Sequence, residues 1–73
     1  HRTTISYGVP NKSFINIDIF DINGRLVETL VSHEHEIGFH QQHWSGRNVA
    51  SGIYFIKLTA ENRILTQKMI LLK

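Results

Sequence analysis

Apolar and polar residues alternate along most of this chain with a period of two, the signature of strands that bury one face. The pattern is cleanest from Phe14 to Phe20, where Ile15, Ile17 and Ile19 share one side and Asn16 and Asp18 the other. A helix would scatter those isoleucines around its circumference. Thr3 to Val9 alternates likewise, with Ile5, Tyr7 and Val9 set against Thr4, Ser6 and Gly8. Ile53 to Thr59 carries Tyr54, Ile56 and Leu58 on one face. Arg63 to Leu72 returns as a last strand, in which Met69 and Leu71 alternate away from Ile70 and Leu72. Two weaker runs, Arg25 to Leu30 and Phe39 to Trp44, complete six predicted strands.

The intervals read as turns. Pro10-Asn11-Lys12-Ser13 opens on a residue with no amide hydrogen for a ladder. Asp21-Ile22-Asn23-Gly24 is a tight turn, its Asn-Gly suited to positive φ. Ser45-Gly46-Arg47-Asn48 and Glu61-Asn62 are further turns, and Val49-Ala50-Ser51-Gly52 leads into the aromatic strand, with a bulge or close backbone approach expected at Gly52. Val31 to Gly38, with its Ser32-His33-Glu34-His35-Glu36 core, is too polar for a strand and reads as a loop. Short strands at this spacing with Gly and Asn turns predict an all-β sandwich or barrel. Trp44 and Tyr54 are the expected core anchors, and the period turns most aromatics inward.

Composition narrows the class. Seventy-three residues make one small domain, and a 41% hydrophobic content argues for a folded unit. There is no cysteine, hence no disulfide framework and no thiolate metal site. The net charge is only +2, and the lysines and arginines are scattered instead of clustered, which speaks against nucleic-acid binding. No apolar run approaches the ~20 residues that a membrane-spanning helix needs, and no charged-then-apolar signal segment opens the chain. The abrupt, strand-like start at His1-Arg2-Thr3-Thr4 suggests the excised end of a longer protein. The lysine-bracketed apolar run Lys68-Met69-Ile70-Leu71-Leu72-Lys73 is unusual for a terminus, which is commonly frayed and polar. Such a strand either closes the core, or is read by a partner, or does both.

Candidate chemistry is thin. Five histidines are many for this length, and His33 and His35, two apart with Glu34 and Glu36 beside them, would share a strand face and could chelate a metal. Their spacing matches no zinc signature, and a solvated loop explains them as well, so no metal site is assigned. Asp18 is the acid of a strand facing water. Ser45 near His43 sits in a turn with no helix to build a nucleophile elbow. Asp21, Asn23 and Gly24 form part of a calcium loop whose distal glutamate is missing. No catalytic residue and no cofactor is expected, and a 73-residue sandwich has little material for a substrate pocket.

Four segments in register carry a resemblance. They are Thr3-Thr4-Ile5-Ser6-Tyr7-Gly8-Val9-Pro10, then Ile19-Phe20-Asp21-Ile22-Asn23-Gly24-Arg25-Leu26-Val27. Trp44-Ser45-Gly46-Arg47-Asn48-Val49-Ala50-Ser51-Gly52-Ile53-Tyr54-Phe55 and Gln67-Lys68-Met69-Ile70-Leu71-Leu72-Lys73 follow. In this order and spacing the chain resembles the C-terminal sorting domains of cargo proteins exported by the bacterial type IX secretion system. The resemblance implies an immunoglobulin-like antiparallel β-sandwich of six to seven short strands, closing a larger secreted protein over residues 1–73. It implies Sec export to the periplasm, recognition by an outer-membrane translocon, and a secreted or cell-surface destination for a cargo domain attached upstream. A sortase-like cysteine peptidase commonly removes such a domain. Lys68, Met69, Ile70, Leu71, Leu72 and Lys73 match the terminal recognition motif, and Gly24, Arg25 and Gly52 match inner motifs.

Two departures stand out. Family members often begin with an Asn-Pro-Phe-Asn-Pro stretch before the Thr-Thr-Ile run, so the first strand and the cleavage region are expected to lie upstream of this chain. The common Trp-Asp-Gly is Trp44-Ser45-Gly46 here, where serine still accepts a turn hydrogen bond. Two other readings stay open on the residues. The immunoglobulin-like domain of the flagellar hook-cap scaffold protein shares the Gly-Arg and Ser-Gly-x-Tyr features. A carbohydrate-binding or spacer appendage of a secreted hydrolase would want exposed, coplanar aromatics.

Overall fold

A computed structural model describes residues 3–73; His1 and Arg2, read as the start of the strand-like run, lie outside the described residues. Among the described residues the chain forms six strands and no helix. They are β1 (Thr3–Val9), β2 (Ser13–Asp21), β3 (Leu26–His35), β4 (Gly38–Trp44), β5 (Gly52–Ala60) and β6 (Arg63–Leu71). β1 and β4 pair as a two-stranded sheet, and the other four form a sheet in the order β3-β2-β5-β6, every pairing antiparallel.

This division is that of an immunoglobulin-like sandwich, in which the first and fourth strands lie opposite a hairpin-built sheet. A second mark of that fold is present. The Tyr54 hydroxyl, near the start of β5, donates to the Ala50 carbonyl at 2.7 Å, the corner that fastens the preceding connection to its strand.

The alternation read from sequence fills the space between the sheets. Ile15, Ile17 and Ile19 of β2 are all but inaccessible. At one end Ile19, Trp44, Tyr54, Met69 and Leu71 form a cluster, with Trp44 meeting Tyr54 edge-on at 5.3 Å. Towards the other end Val9, Ile15, Ile17 and Val31 form a second, and Ile5, Leu30 and Ile56 touch both. The Trp44 indole N–H, which burial would otherwise leave unsatisfied, donates to Glu28 Oε1 at 3.0 Å.

Three expectations need correcting. Val31 to Gly38 is not a loop: β3 runs on through His35, and only Glu36 and Ile37 lie between it and β4. A strand at the sheet's edge can be polar provided a few positions face the core, and here Val31 and His35 do. The aromatics do not mostly turn inward either. Phe14 and Phe39 are exposed, Phe39 at 95%, and Phe20 and Phe55 are only half-buried on the outer face of the large sheet. Phe39 lies across the ladder from Gly8, which leaves room beneath its ring. Finally, Gly52 holds neither a bulge nor a close approach: its pairing with Leu71 is regular and nothing lies within 4 Å of where a Cβ would stand. The close approach is at Gly46 instead, where a Cβ would fall 2.7 Å from Leu71 Cδ2.

Candidate functional site

The three segments singled out in the sequence meet at one end of the four-stranded sheet. The register fixes this: Gly52 opposes Leu71, Tyr54 opposes both Asp21 and Met69, and Phe20 opposes Leu26. The β2–β3 turn carrying Gly24 and Arg25, the start of β5 and the end of β6 therefore lie at the same end of the sheet.

The β2–β3 turn is held by its own side chain. Asp21 Oδ1 accepts from the Asn23 and Arg25 backbone N–H groups, both at 2.9 Å, and Arg25 Nε stands 3.4 Å from Asp21 Oδ2. The Gly24 N–H donates to the Asp21 carbonyl at 3.0 Å, and the positive φ of Gly24, 81°, which Asn23 does not share, turns the chain so that the Arg25 carbonyl accepts from the Asp21 N–H at 2.9 Å. The Arg25 backbone N–H is the main influence holding the Asp21 carboxyl below its ordinary value of 3.8, with the guanidinium adding to it. The Asp21-Asn23-Gly24 group is thus an aspartate-capped turn with Arg25 exposed above it, and its carboxylate is already engaged.

The last strand is two-faced. Met69 and Leu71 are buried, at 9% and 2% exposure, while Ile70 and Leu72 stand out at 62% and 71%. Leu71 packs under Gly46, whose φ of 61° and missing side chain allow the contact. Lys73 is pinned: its backbone N–H donates to Ser51 Oγ at 2.9 Å and its Nζ to the Arg47 carbonyl at 3.0 Å. Lys68 opposes Phe55 on the outer face, continuing a row Leu26–Phe20–Phe55–Lys68 that crosses all four strands. Ile53 and Ile70 pair beside that row. Among the described residues β6 pairs with β5 alone, so its other edge offers unpaired backbone groups.

The remaining candidates have structural employment. Asp18 accepts from Asn16 Nδ2 at 2.6 Å and from Thr29 Oγ1 at 2.7 Å. Ser45 Oγ accepts from the Arg47 N–H at 3.3 Å, whereas the His43 ring meets Thr4 Oγ1 at 3.0 Å, so the two do not form a nucleophile and base. His33 and His35 do share a face, as rings stacked at 4.5 Å, but among the described residues no three His, Asp or Glu side chains are arranged to hold a metal ion. A cleft of about 360 Å³ opens between Tyr7, Val9 and the β5–β6 hairpin, away from these segments. Sequence reading missed Gly46 and Ser51 as supports of the last strand. The turn motif pointed to both, but their partner lies more than twenty residues away.

What the arrangement offers is a surface: a buried inner face, an exposed apolar outer face and lysines at its margins. Comparison with known proteins bears on what reads it. The family model described as the secretion system C-terminal sorting domain matches residues 1–72. No curated protein and no solved structure matches the chain. With the match spanning nearly every residue of an all-β sandwich, the chain belongs to the type IX secretion system C-terminal sorting domain family.

Proposed function

We propose that this domain directs a cargo joined upstream across the outer membrane, its last strand being the part that the translocon reads. The supporting observation is the division of β6: Met69 and Leu71 serve the core, while Lys68, Ile70 and Leu72 lie outside it and exposed. Exposed side chains outside the core are available for recognition, and an edge strand can add a partner's strand to its sheet. Lysines on that edge discourage pairing with other chains. Gly24 and Arg25 present the adjoining turn, and Gly52 keeps β5 in step with β6 beside it. Removal of the domain by a sortase-like peptidase would follow passage, leaving the cargo secreted or at the cell surface. The domain itself needs no cofactor for this, and sorting domains are signals, not enzymes.

The same reading places a seventh strand upstream of Thr3. Among the described residues β1 has one paired edge and one free edge, and the inward side of β6 from Arg63 to Gln67 is exposed, Leu65 at 53%. A strand pairing with β1 would cover it. The test fuses this domain, with its upstream segment, to a periplasmic reporter in a host that carries the secretion system. Deleting residues 68–73 should hold the reporter in the periplasm. Single Lys68→Ala and Lys73→Ala variants separate lost recognition from lost folding. Export of all three at the intact level would sink the proposal.

A further inference from the structure

Away from the sorting end, three imidazoles and a phenol meet where the edge of the large sheet touches the small one. His35 of β3 is buried, at 4% exposure. The His33 ring lies 4.5 Å from it, the His40 ring of β4 4.6 Å, and the Tyr7 ring of β1 5.6 Å, while Tyr7 and His40 stack at 5.7 Å. Because β1 and β4 belong to one sheet and β3 to the other, the four rings join the two layers.

The hydrogen bonds fix the protons. A carbonyl oxygen only accepts, so a ring nitrogen facing one must carry hydrogen. His35 Nδ1 faces the His33 carbonyl at 3.2 Å, His33 Nδ1 the Glu34 carbonyl at 2.9 Å, and His40 Nε2 the Glu36 carbonyl at 2.8 Å. With Nδ1 protonated, neutral His35 has one acceptor left, Nε2, and the Tyr7 hydroxyl donates to it at 2.6 Å. Both nitrogens of the buried ring are then satisfied in the neutral state, and in no other without rearrangement.

A second proton on His35 would occupy Nε2. Tyr7 would have to turn from donor to acceptor, with its own hydrogen left in a half-buried place. The charge would sit between the His33 and His40 rings, at 4.5 and 4.6 Å. Counter-charge is not at hand. Tyr7 from β1, His40 from β4 and His33 from β3 face the ring; Ser13 is its partner on β2, and Lys12 of the β1–β2 turn brings only more positive charge. Glu34 and Glu36 are exposed and engaged with Lys12 at 3.7 Å each, and among the described residues no imidazole pairs with a carboxylate.

We propose that Tyr7, His33, His35 and His40 form an acid-sensitive clasp, closed when the imidazoles are neutral and opened by their protonation, which frees the β3 edge from the β1–β4 sheet. In the opened chain the rings take protons in water at no such cost. Stability therefore rises with pH through the imidazole range and falls as pH drops through it. The inference does not depend on the sorting reading.

Thermal unfolding of the chain from about pH 7.5 to about pH 5 tests it, together with His35→Phe and the surface double variant His33→Asn/His40→Asn. The wild type should lose roughly 5–10 °C in Tm across that interval. Both variants should flatten the loss, whatever their absolute stability. Amide protection factors should fall first for β1, β4 and the end of β3, with the β2–β5 ladder still protected. Equal pH slopes in wild type and both variants, or uniform loss of protection across both sheets, would overturn the proposal.

Discussion

Replacing Leu71 by alanine should unfold a large part of this domain's stability, whereas the same change one residue earlier should be almost silent. Leu71 is 2% exposed and meets Ile19, Trp44, Tyr54 and Met69 in one cluster. Buried Leu→Ala changes cost about 2–5 kcal/mol, more where the site cannot collapse. Here one wall of the cavity is the backbone of Gly46, which has no side chain to move in. We therefore expect about 3–4 kcal/mol. At roughly 0.05–0.15 kcal/mol per residue, a domain of 73 residues holds only about 4–11 kcal/mol in total. Ile70, at 62% exposure, should cost no more than about 0.5 kcal/mol. Urea unfolding followed by the fluorescence of buried Trp44 measures both. With a slope of about 1 kcal/mol per molar for a chain this small, the Leu71→Ala midpoint should fall by roughly 3 M. Comparable midpoints for the two variants would refute the two-faced reading of β6.

Other outcomes follow from single contacts. Tyr54→Phe removes the corner bond to Ala50 and should cost about 1 kcal/mol by the same urea assay, with the fold retained. Gly46→Ala places a methyl against Leu71 at a φ of 61° and should cost about 2 kcal/mol; its effect should shrink in a Leu71→Ala background, as a double-mutant cycle would show. Asp21 has its carboxyl held below 3.8 in the folded state, so the stabilisation it gives is complete above that value and is lost as pH falls through the lower, folded one. The stability gap between wild type and Asp21→Asn should accordingly be constant near neutrality and close only in the strongly acid range.

Much of the architecture was legible in the alternation. Ile15, Ile17 and Ile19 declared the core face of β2, and Tyr54, Ile56 and Leu58 that of β5, because a side-chain period of two ties sequence position to face. The opposition of Met69 and Leu71 to Ile70 and Leu72 came the same way, and it is the feature on which the site rests. Local polarity misled at residues 31–38, since an edge strand needs only occasional inward residues and His35 is buried by rings from two other strands. The phenylalanines misled for the converse reason: apolar character does not tell which face of a strand is covered. Long-range matters were not visible at all. That β1 would pair with β4, that Gly46 would seat Leu71, and that four scattered rings would meet are consequences of how the sheets stack, and no local pattern encodes them.

The central claim, that the outward side of β6 is the signal and its inward side the core, is tested most directly by an Ile70→Ala/Leu72→Ala double variant fused behind an exported reporter. Its urea midpoint should match the wild type, both positions being exposed. The folded variant should nonetheless leave the reporter in the periplasm. Secretion at the wild-type level from a domain shown to be folded would contradict it.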